Sequence, residues 1–283
     1  MFLLRVALTR AGSLPAWRHA LLVIAFPLAA LPASRVQAQE QEQGEEERDD
    51  WQVMIGAGAI YSPDYEGSDE YDIKPFPFIS VAYRDIAYVR GPEIGINLLR
   101  LKPSEALQIK AGPIARYRRD RPEDRNSDLH GLGDVDLAIE LGGALAVEYR
   151  QAFVRVSLAK DVAGGHDGLV GEGEAGVRFD LAETLSASVS VQASWADTDY
   201  MSTYFSITSA QSAASGLPVY RAGGGIKDVG AGLGLNYRLG ARWMLTAVGG
   251  YSRLPGDAAD APLVVQRGSP DQWQGGLFLA YRF

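Results

Sequence analysis

The chain has 283 residues, of which 35 are acidic, 27 are basic and none is cysteine. A formal net charge of −8 argues against nucleic acid as a partner, because phosphate backbones are bound by basic surfaces. Without cysteine the chain has neither disulfides nor a thiol for lipid attachment, so any membrane attachment must come from the fold itself.

Residues 1–38 have the features of a cleaved secretory signal. Three arginines give a positive N-terminal region, residues 20–31 form an apolar run, and small residues precede a cleavage site after Ala38. The apolar run is too short to span a hydrocarbon core of ~30 Å as a helix, which disfavours a retained anchor. We therefore expect export from the cytoplasm.

Residues 39–50, QEQEQGEEERDD, follow the cleavage site and contain no apolar side chain. Such a segment cannot bury a core, and the sequence predicts a disordered acidic lead-in. Removal of residues 1–38 takes away four arginines and no acidic residue, so the mature chain is more acidic than the full one.

From Trp51 onward the sequence alternates with a period of two. WQVMIGAGAIY at 51–61, LSASVSVQASW at 185–195 and WQGGLFLAYRF at 273–283 each place apolar residues on one parity and mostly small or polar residues on the other. A period of two predicts β-strands. The candidate strands are 51–61, 73–83, 86–91, 93–99, 105–118, 133–149, 153–160, 172–181, 184–195, 202–208, 226–239, 243–252 and 272–283.

Alternation alone also describes a soluble sandwich or a lipocalin-like barrel, whose apolar face would point inward. Aromatic residues favour a membrane barrel. Trp51 and Tyr61 bracket one strand on the apolar parity, and Trp243 and Tyr251 bracket another, as expected of the aromatic girdles at two membrane interfaces. Ten residue steps, tilted, cover ~25 Å, the height of an outer-membrane apolar band.

The sequence therefore predicts an all-β fold for residues 51–283, an antiparallel transmembrane β-barrel of about twelve strands, within a range of roughly ten to fourteen. Thirteen candidates make an odd number, so we expect one short candidate, 86–91 or 202–208, to be a loop or to merge with a neighbour. Four long polar segments are predicted to be surface loops on the outside, and short turns such as 239–242 to face the periplasm.

The last strand ends on an aromatic residue without a polar tail. We expect Phe283 to lie on the lipid face of the closing strand. Tyr281 and Phe283 are further interpreted as an assembly signal that the barrel-insertion machinery reads.

Several motifs in one order resemble the MipA/OmpV family of outer-membrane proteins, named after the MltA-interacting protein. The resemblance covers residues 50–283. It rests on GAGAIYSPDYEGSDEY (56–71), GLGDVD (131–136), GGHDGL (164–169), YMSTYF (200–205), QSAASGLPVY (211–220), GIKDVG (225–230), LPGDAADAP (254–262) and YRF (281–283).

This resemblance implies a location in the outer-membrane lipid and a non-enzymatic role. It implies a scaffold between a lytic transglycosylase that cleaves murein and a murein synthase. No motif in the sequence encodes such a contact, so a pore or adhesin stays open as an alternative, and a barrel hydrolase as a second one.

Two histidines follow the signal segment, His130 and His166. His166 and Asp167 could form a base or a metal site in a glycine-rich hairpin, but a turn stabilised by local backbone contacts is the favoured interpretation. Tyr200, Tyr204 and Phe205 are interpreted as part of the barrel-rim girdle in preference to an exposed recognition patch. The sequence predicts no catalytic residue, no metal ligand and no cofactor.

Overall fold

The computed structural model describes residues 50–283, so the predicted signal, its cleavage after Ala38 and most of the acidic lead-in lie outside the described residues. Thirteen strands dominate the described chain, with short helices in the connections. The strands are β1 Trp51–Pro63, β2 Tyr71–Tyr83, β3 Ala87–Arg90, β4 Glu93–Ile96, β5 Leu99–Ser104, β6 Leu107–Arg118, β7 Ala138–Tyr149, β8 Ala152–Asp161, β9 Leu169–Ala182, β10 Leu185–Ala196, β11 Gly225–Leu239, β12 Trp243–Arg253 and β13 Asp271–Arg282. The helices are α1 Thr198–Phe205, α2 Ser209–Ser215, α3 Gly256–Ala259 and α4 Pro262–Arg267, with 3₁₀ turns at Glu123–Arg125 and Ser127–Leu129.

The strands form one antiparallel sheet that closes on itself. Most neighbours in sequence are neighbours in the sheet, and the first strand pairs with the last, with Ile55 opposite Tyr281 and Ala59 opposite Leu277. The ring is completed on the other side by β4, which pairs with β6. Closure gives the backbone groups of the first and last strands their partners, as a wall in contact with lipid requires.

The barrel wall has twelve positions, although thirteen segments are present. β4 pairs with the upper part of β6, where Glu93 lies opposite Arg116, and β5 pairs with the lower part, where Leu101 lies opposite Ile109. The two segments therefore act as one interrupted strand. Twelve strand positions confirm the predicted count and the even number typical of single-chain bacterial barrels.

The burial pattern is the inverse of that in a soluble protein. Leu233 and Leu235 on β11 are exposed on the outer face, whereas Asn236 on the same strand is buried and its Oδ1 accepts a hydrogen bond from Thr246 Oγ1 at 2.9 Å. The predicted parity is confirmed on the last strand too, where Leu277 and Leu279 are exposed outside. An apolar exterior around a polar interior is what a membrane barrel needs and a dry sandwich core excludes.

Aromatic rings group at both ends of the outer face, as predicted. At the end with the short turns, the ring centroids of Trp51 and Tyr83 lie 4.7 Å apart and those of Trp243 and Tyr281 lie 5.1 Å apart. At the other end, Tyr251 and Trp273 are 4.7 Å apart. Phe283 is 68% exposed, and its N–H donates to Val53 O at 3.1 Å.

The strand candidates differ from the structure in two places. Candidate 202–208, one of the two short candidates expected to be a loop or to merge with a neighbour, lies mostly in α1, because residues 200, 201, 204 and 205 form a buried face with helical spacing. Residues 99–104, which the sequence analysis left between two candidates, form β5. Candidate 86–91 is a real strand, although a short one.

The short β3–β4 hairpin leaves a gap in the upper wall. β2 pairs along its whole length with β1, but β3 pairs with it only at residues 80–83. Within the described chain, no strand pairs with the free edge of β2 above Ile79. We call this stretch, residues 71–79 facing the short hairpin, the wall gap.

Two prolines of β2 reduce the number of unpaired N–H groups at the wall gap. The N–H of Gly91 donates to Ile79 O, so the backbone groups of odd-numbered residues in β2 point toward β3 and those of even-numbered residues toward β1. Pro75 and Pro77 are odd-numbered, and each removes an N–H that would otherwise point into the gap. Proline on an unpaired edge also discourages pairing with another chain.

Membrane exposure of the apolar face can be tested at Leu233, which lies near the middle of β11 and is 63% exposed. Leu233→Arg is expected to lower the free energy of unfolding by about 2–4 kcal/mol, because the charge enters hydrocarbon. Urea titration of the protein in lipid vesicles measures the change. Gln192→Arg on the lumen side of β10 serves as the control. An equal loss in both variants would contradict the assigned faces.

The wall gap predicts uneven amide exchange along β2. The N–H of Ile73 points to the unpaired edge, whereas Lys74 lies opposite Ile60 in the β1 ladder. In detergent micelles we expect the Ile73 amide to exchange faster than the Lys74 amide by about an order of magnitude or more, as measured by NMR. Equal protection would mean that another segment covers the edge.

Candidate functional site

Five long connections fold together over one end of the barrel and form a packed cap. The cap consists of residues 64–70, 119–137, 162–168, 197–224 and 254–270. Side chains from four of these connections form two buried apolar clusters with side chains of the upper strands. The predicted surface loops therefore pack into one compact structure, which lies at the end of the barrel, outside the lipid-facing wall.

Helix α1 is the centre of the cap. The Asp197 side chain accepts a hydrogen bond from Tyr200 N at 3.1 Å and so caps the first turn. Tyr200 and Phe205 are almost fully buried and Tyr204 is 8% exposed. The sequence had placed these three residues in the barrel-rim girdle, with an exposed patch as the alternative. The structure places them in neither position, because the helix turns its aromatic face into the protein.

His166 is buried against this helix. Its Nε2 lies 3.1 Å from Glu140 Oε1, and its Nδ1 accepts from the N–H of Gly168 at 3.0 Å. An accepting Nδ1 assigns the proton of the neutral ring to Nε2, which then donates to the carboxylate. The ring also packs edge-on against Tyr200 at 4.8 Å.

Asp167 points away from His166. It is exposed, has a φ of 53°, and contributes backbone contacts with its neighbours in the turn. The two residues therefore do not converge on one reacting atom. His130, the other histidine after the signal segment, is exposed after a 3₁₀ turn.

A layer of ion pairs lies beneath the cap and joins five neighbouring positions of the wall. Arg116 lies 3.0 Å from Glu93 and 2.8 Å from Glu172, and Arg155 lies 2.5 Å from Glu93. Arg118 contacts Glu140 at 2.5 Å. Buried charges of both signs thereby satisfy one another across β4, β6, β7, β8 and β9, which ties the strands together.

A second polar cluster lies at a bulge in β11. Ser194 pairs with Asp228 and Trp195 with Ile226, so Lys227 is the extra residue of the bulge. The bulge lets two adjacent side chains meet, with Lys227 Nζ 2.6 Å from Asp228 Oδ2. Lys227 also lies 2.9 Å from Glu66 of the cap.

Tyr200 extends this cluster into the cap. Its hydroxyl lies 3.0 Å from both carboxylate oxygens of Glu66, and Arg118 donates to it at 3.3 Å. Burial raises the pKa of Tyr200, and it raises that of Tyr204 to about 12. Both phenols therefore stay protonated at neutral pH and act as hydrogen-bond donors, not as bases.

A cavity of about 250 Å³ lies between the cap and the ion-pair layer. We call it the chamber. Its lining is mixed, with charged residues from the cap and the upper strands and apolar surface from Leu254 and Trp273. Seven cations line it: Lys74, Arg118, Arg119, Arg121, Arg125, Arg155 and Lys227.

Arg121 differs from the other cations of the chamber. It is 6% exposed, and along residues 50–283 no carboxylate lies within salt-bridge distance of it, whereas each of the other six has one. Its Nη1 donates to Tyr204 O at 3.4 Å and its Nε has no hydrogen-bond partner. Burial lowers the pKa of Arg121, but a guanidinium stays charged at neutral pH.

The described residues offer no group of three or more histidine, aspartate or glutamate side chains that could hold a metal ion. Over the same range, no helix is long and apolar enough to cross a membrane.

Comparison with known proteins assigns the family. The profile of the family described as "MltA-interacting protein MipA" matches residues 55–283. The chain belongs to the MipA family. The MipA-family match covers the cap and all of the barrel except the first residues of β1, and it confirms the resemblance seen in the motifs.

A relative in Escherichia coli K12 agrees with an outer-membrane barrel. The chain is 28% identical over 217 residues to YiaT, a protein assigned to the outer membrane by its name, with 75% of this chain and 85% of YiaT covered. Among solved structures, an outer membrane channel from Pseudomonas putida F1 is similar with a TM-score of 0.45 at 13% identity, covering 86% of this chain and all of the other. The NanC porin has a TM-score of 0.42 at 9% identity, covering 82% of this chain and all of its own.

Sequence reasoning did not find the residues that shape the chamber. Glu66 and Lys227 lie inside the quoted motifs, but their contact joins residues 161 positions apart. Arg121 lies in a charged loop that gave no signal beyond solvent exposure. The order of the motifs was the usable signal, because seven of the eight lie in or next to the cap.

The two histidines give a matched test of the cap. His166→Ala is expected to lower the free energy of unfolding by about 1–3 kcal/mol, because buried Glu140 loses a hydrogen bond and the ring leaves a void. The exposed His130→Ala should leave it unchanged. Urea titration of both variants measures the difference. Equal stability of the two variants would contradict a structural role for His166.

Proposed function

We propose that this MipA-family barrel is a non-enzymatic scaffold that holds murein enzymes at the inner surface of the outer membrane. The family description, "MltA-interacting protein", supports an MltA-type enzyme as one partner. The resemblance seen in the motifs implies that this partner is a lytic transglycosylase and that a murein synthase is the second. Because the family match begins at residue 55, within β1, we place the docking surface on the barrel and not on the acidic lead-in.

The short-turn end is the surface that such partners could reach, because short turns face the periplasm in bacterial barrels. Arg150, Arg242 and Arg282 are exposed there, and none has a carboxylate partner among the described residues. Asp50, where the acidic lead-in joins the barrel, is held by Arg84 at 2.5 Å on the same rim. An otherwise acidic protein thus presents unpaired positive charge toward the periplasm, which suits an acidic patch on a partner enzyme.

The geometry also bears on the alternatives. A packed cap and a layer of ion pairs occupy the ends of the chamber, which favours a closed lumen over a wide pore. For a hydrolase, the buried His166 pairs with Glu140, and within residues 50–283 no serine or threonine hydroxyl hydrogen-bonds to its ring. The scaffold needs neither an open lumen nor a reacting group.

Affinity capture tests the scaffold. Full-length protein in detergent is expected to retain a purified MltA-type transglycosylase, and the triple variant Arg150→Gln, Arg242→Gln, Arg282→Gln should retain much less. Capture by the parent should also weaken with added salt, because exposed charges are screened. Arg221→Gln and Arg253→Gln at the opposite end form the control and should capture normally.

Equal capture by the triple variant would reject the arginine rim as the docking surface. Absence of capture by the parent, together with large and steady single-channel conductance, would replace the scaffold with a pore.

A further inference from the structure

Arg121 is a cation of the chamber that no carboxylate of residues 50–283 approaches within salt-bridge distance, and within the same residues Glu174 of the lining also makes no ion pair. Lys74 is paired with Asp64 at 3.1 Å, and Lys227 with Asp228 and Glu66. Glu66, another carboxylate of the lining, is already engaged by Lys227 and Tyr200. A buried cation without a counter-charge is costly, so its retention points to a partner that the chain does not supply.

Arg121 is fixed in place, which suits a binding group. Its backbone N–H and C=O pair with Val135 at 2.8 and 3.0 Å in an isolated β-bridge. Its guanidinium carbon lies 5.7 Å from the centroid of the Tyr204 ring. Its Nη1 donates to Tyr204 O, and its Nε is enclosed without a partner. Nη2 is therefore the guanidinium nitrogen that a carboxylate in the chamber can reach, in a charge-assisted hydrogen bond.

The wall gap borders the chamber. Lys74, on the unpaired stretch of β2, lines the chamber from one side of the gap. Residues 119–121, which directly follow β6, line it from the other side. The cap packs above. A ligand with an apolar tail can therefore place its head in the chamber while the tail stays in the outer leaflet.

We propose that the chamber binds the carboxylate of a single-chain amphiphile, with the head group on Arg121 and the tail leaving through the wall gap. One uncompensated cation selects a singly charged head, which favours a carboxylate over a phosphate dianion. The ligand class is therefore a fatty acid or a molecule that ends like one. This site is independent of the periplasmic scaffold.

Binding of dodecanoate to the full chain in phosphatidylcholine nanodiscs, measured by isothermal titration calorimetry against empty nanodiscs, tests the site. Arg121→Gln should weaken binding by about ten- to a hundredfold, since a charge-assisted hydrogen bond is lost. Arg121→Lys, which keeps the charge but not the guanidinium, should fall between the two. Arg221→Gln removes an exposed cation of the cap that does not line the chamber and should change the affinity less than about twofold.

Two further probes use the parent protein alone and so do not depend on the folding of any variant. Dodecanol, with the same tail and no charge, should not bind, and acetate, with the same head and no tail, should bind at least about tenfold more weakly. Dodecanol binding as tightly as dodecanoate, or an Arg121→Gln variant that migrates as a folded barrel with parental affinity, would overturn the proposal. Equal affinity for acetate would overturn the membrane route and leave a soluble carboxylate as the ligand.

Discussion

The structure depends on one requirement, that every backbone group facing hydrocarbon has a partner within the protein. Only a closed sheet meets it with strands, and closure in turn fixes an even number of positions, an apolar outside and a polar inside. The inside then has a problem of its own, because buried charges need counter-charges. The ion-pair layer around Arg116 and Glu93 supplies these counter-charges along about half of the wall. Ion pairs that would lie on the surface of a soluble protein lie in the interior of this barrel.

The wall gap is the place where the first requirement is relaxed, and the sequence of β2 shows how. Pro75 and Pro77 would weaken a central strand, because each lacks a donor. On the edge of the gap the same lack is favourable, since a missing N–H needs no partner. The carbonyls remain, and they face the region between the chamber and the outer leaflet. The edge of β2 is therefore unpaired for two reasons. The neighbouring strand β3 is short, and the two prolines at alternate positions remove N–H groups that would need partners.

The sequence was sufficient for the wall and insufficient for the cap, for physical reasons. In the wall, each residue meets lipid or lumen according to parity, so alternation reports orientation directly, and the aromatic girdles follow from the same rule. In the cap, burial comes from contacts between distant segments, such as Glu66 with Lys227 and Tyr65 with Leu263. No local pattern encodes those contacts. The candidate strand 202–208 has only seven residues, which are too few to separate a period of two from one of 3.6.

The same contrast explains why the sequence did not predict that Arg121 is buried in the chamber. In RRDRPEDR several arginines and acids alternate, and all of them would be solvated if the segment were an ordinary loop. Folding the loop into the cap pairs Arg119 and Arg125 with Asp120 and leaves Arg121 facing the chamber with Tyr204 as its neighbour and no carboxylate partner. Since one aspartate serves two arginines, the local charge balance fails by one, and it fails at Arg121. A chain that gained nothing from this charge could neutralise it by one substitution to glutamine, so the arrangement is best understood as a site with its anion still to be supplied.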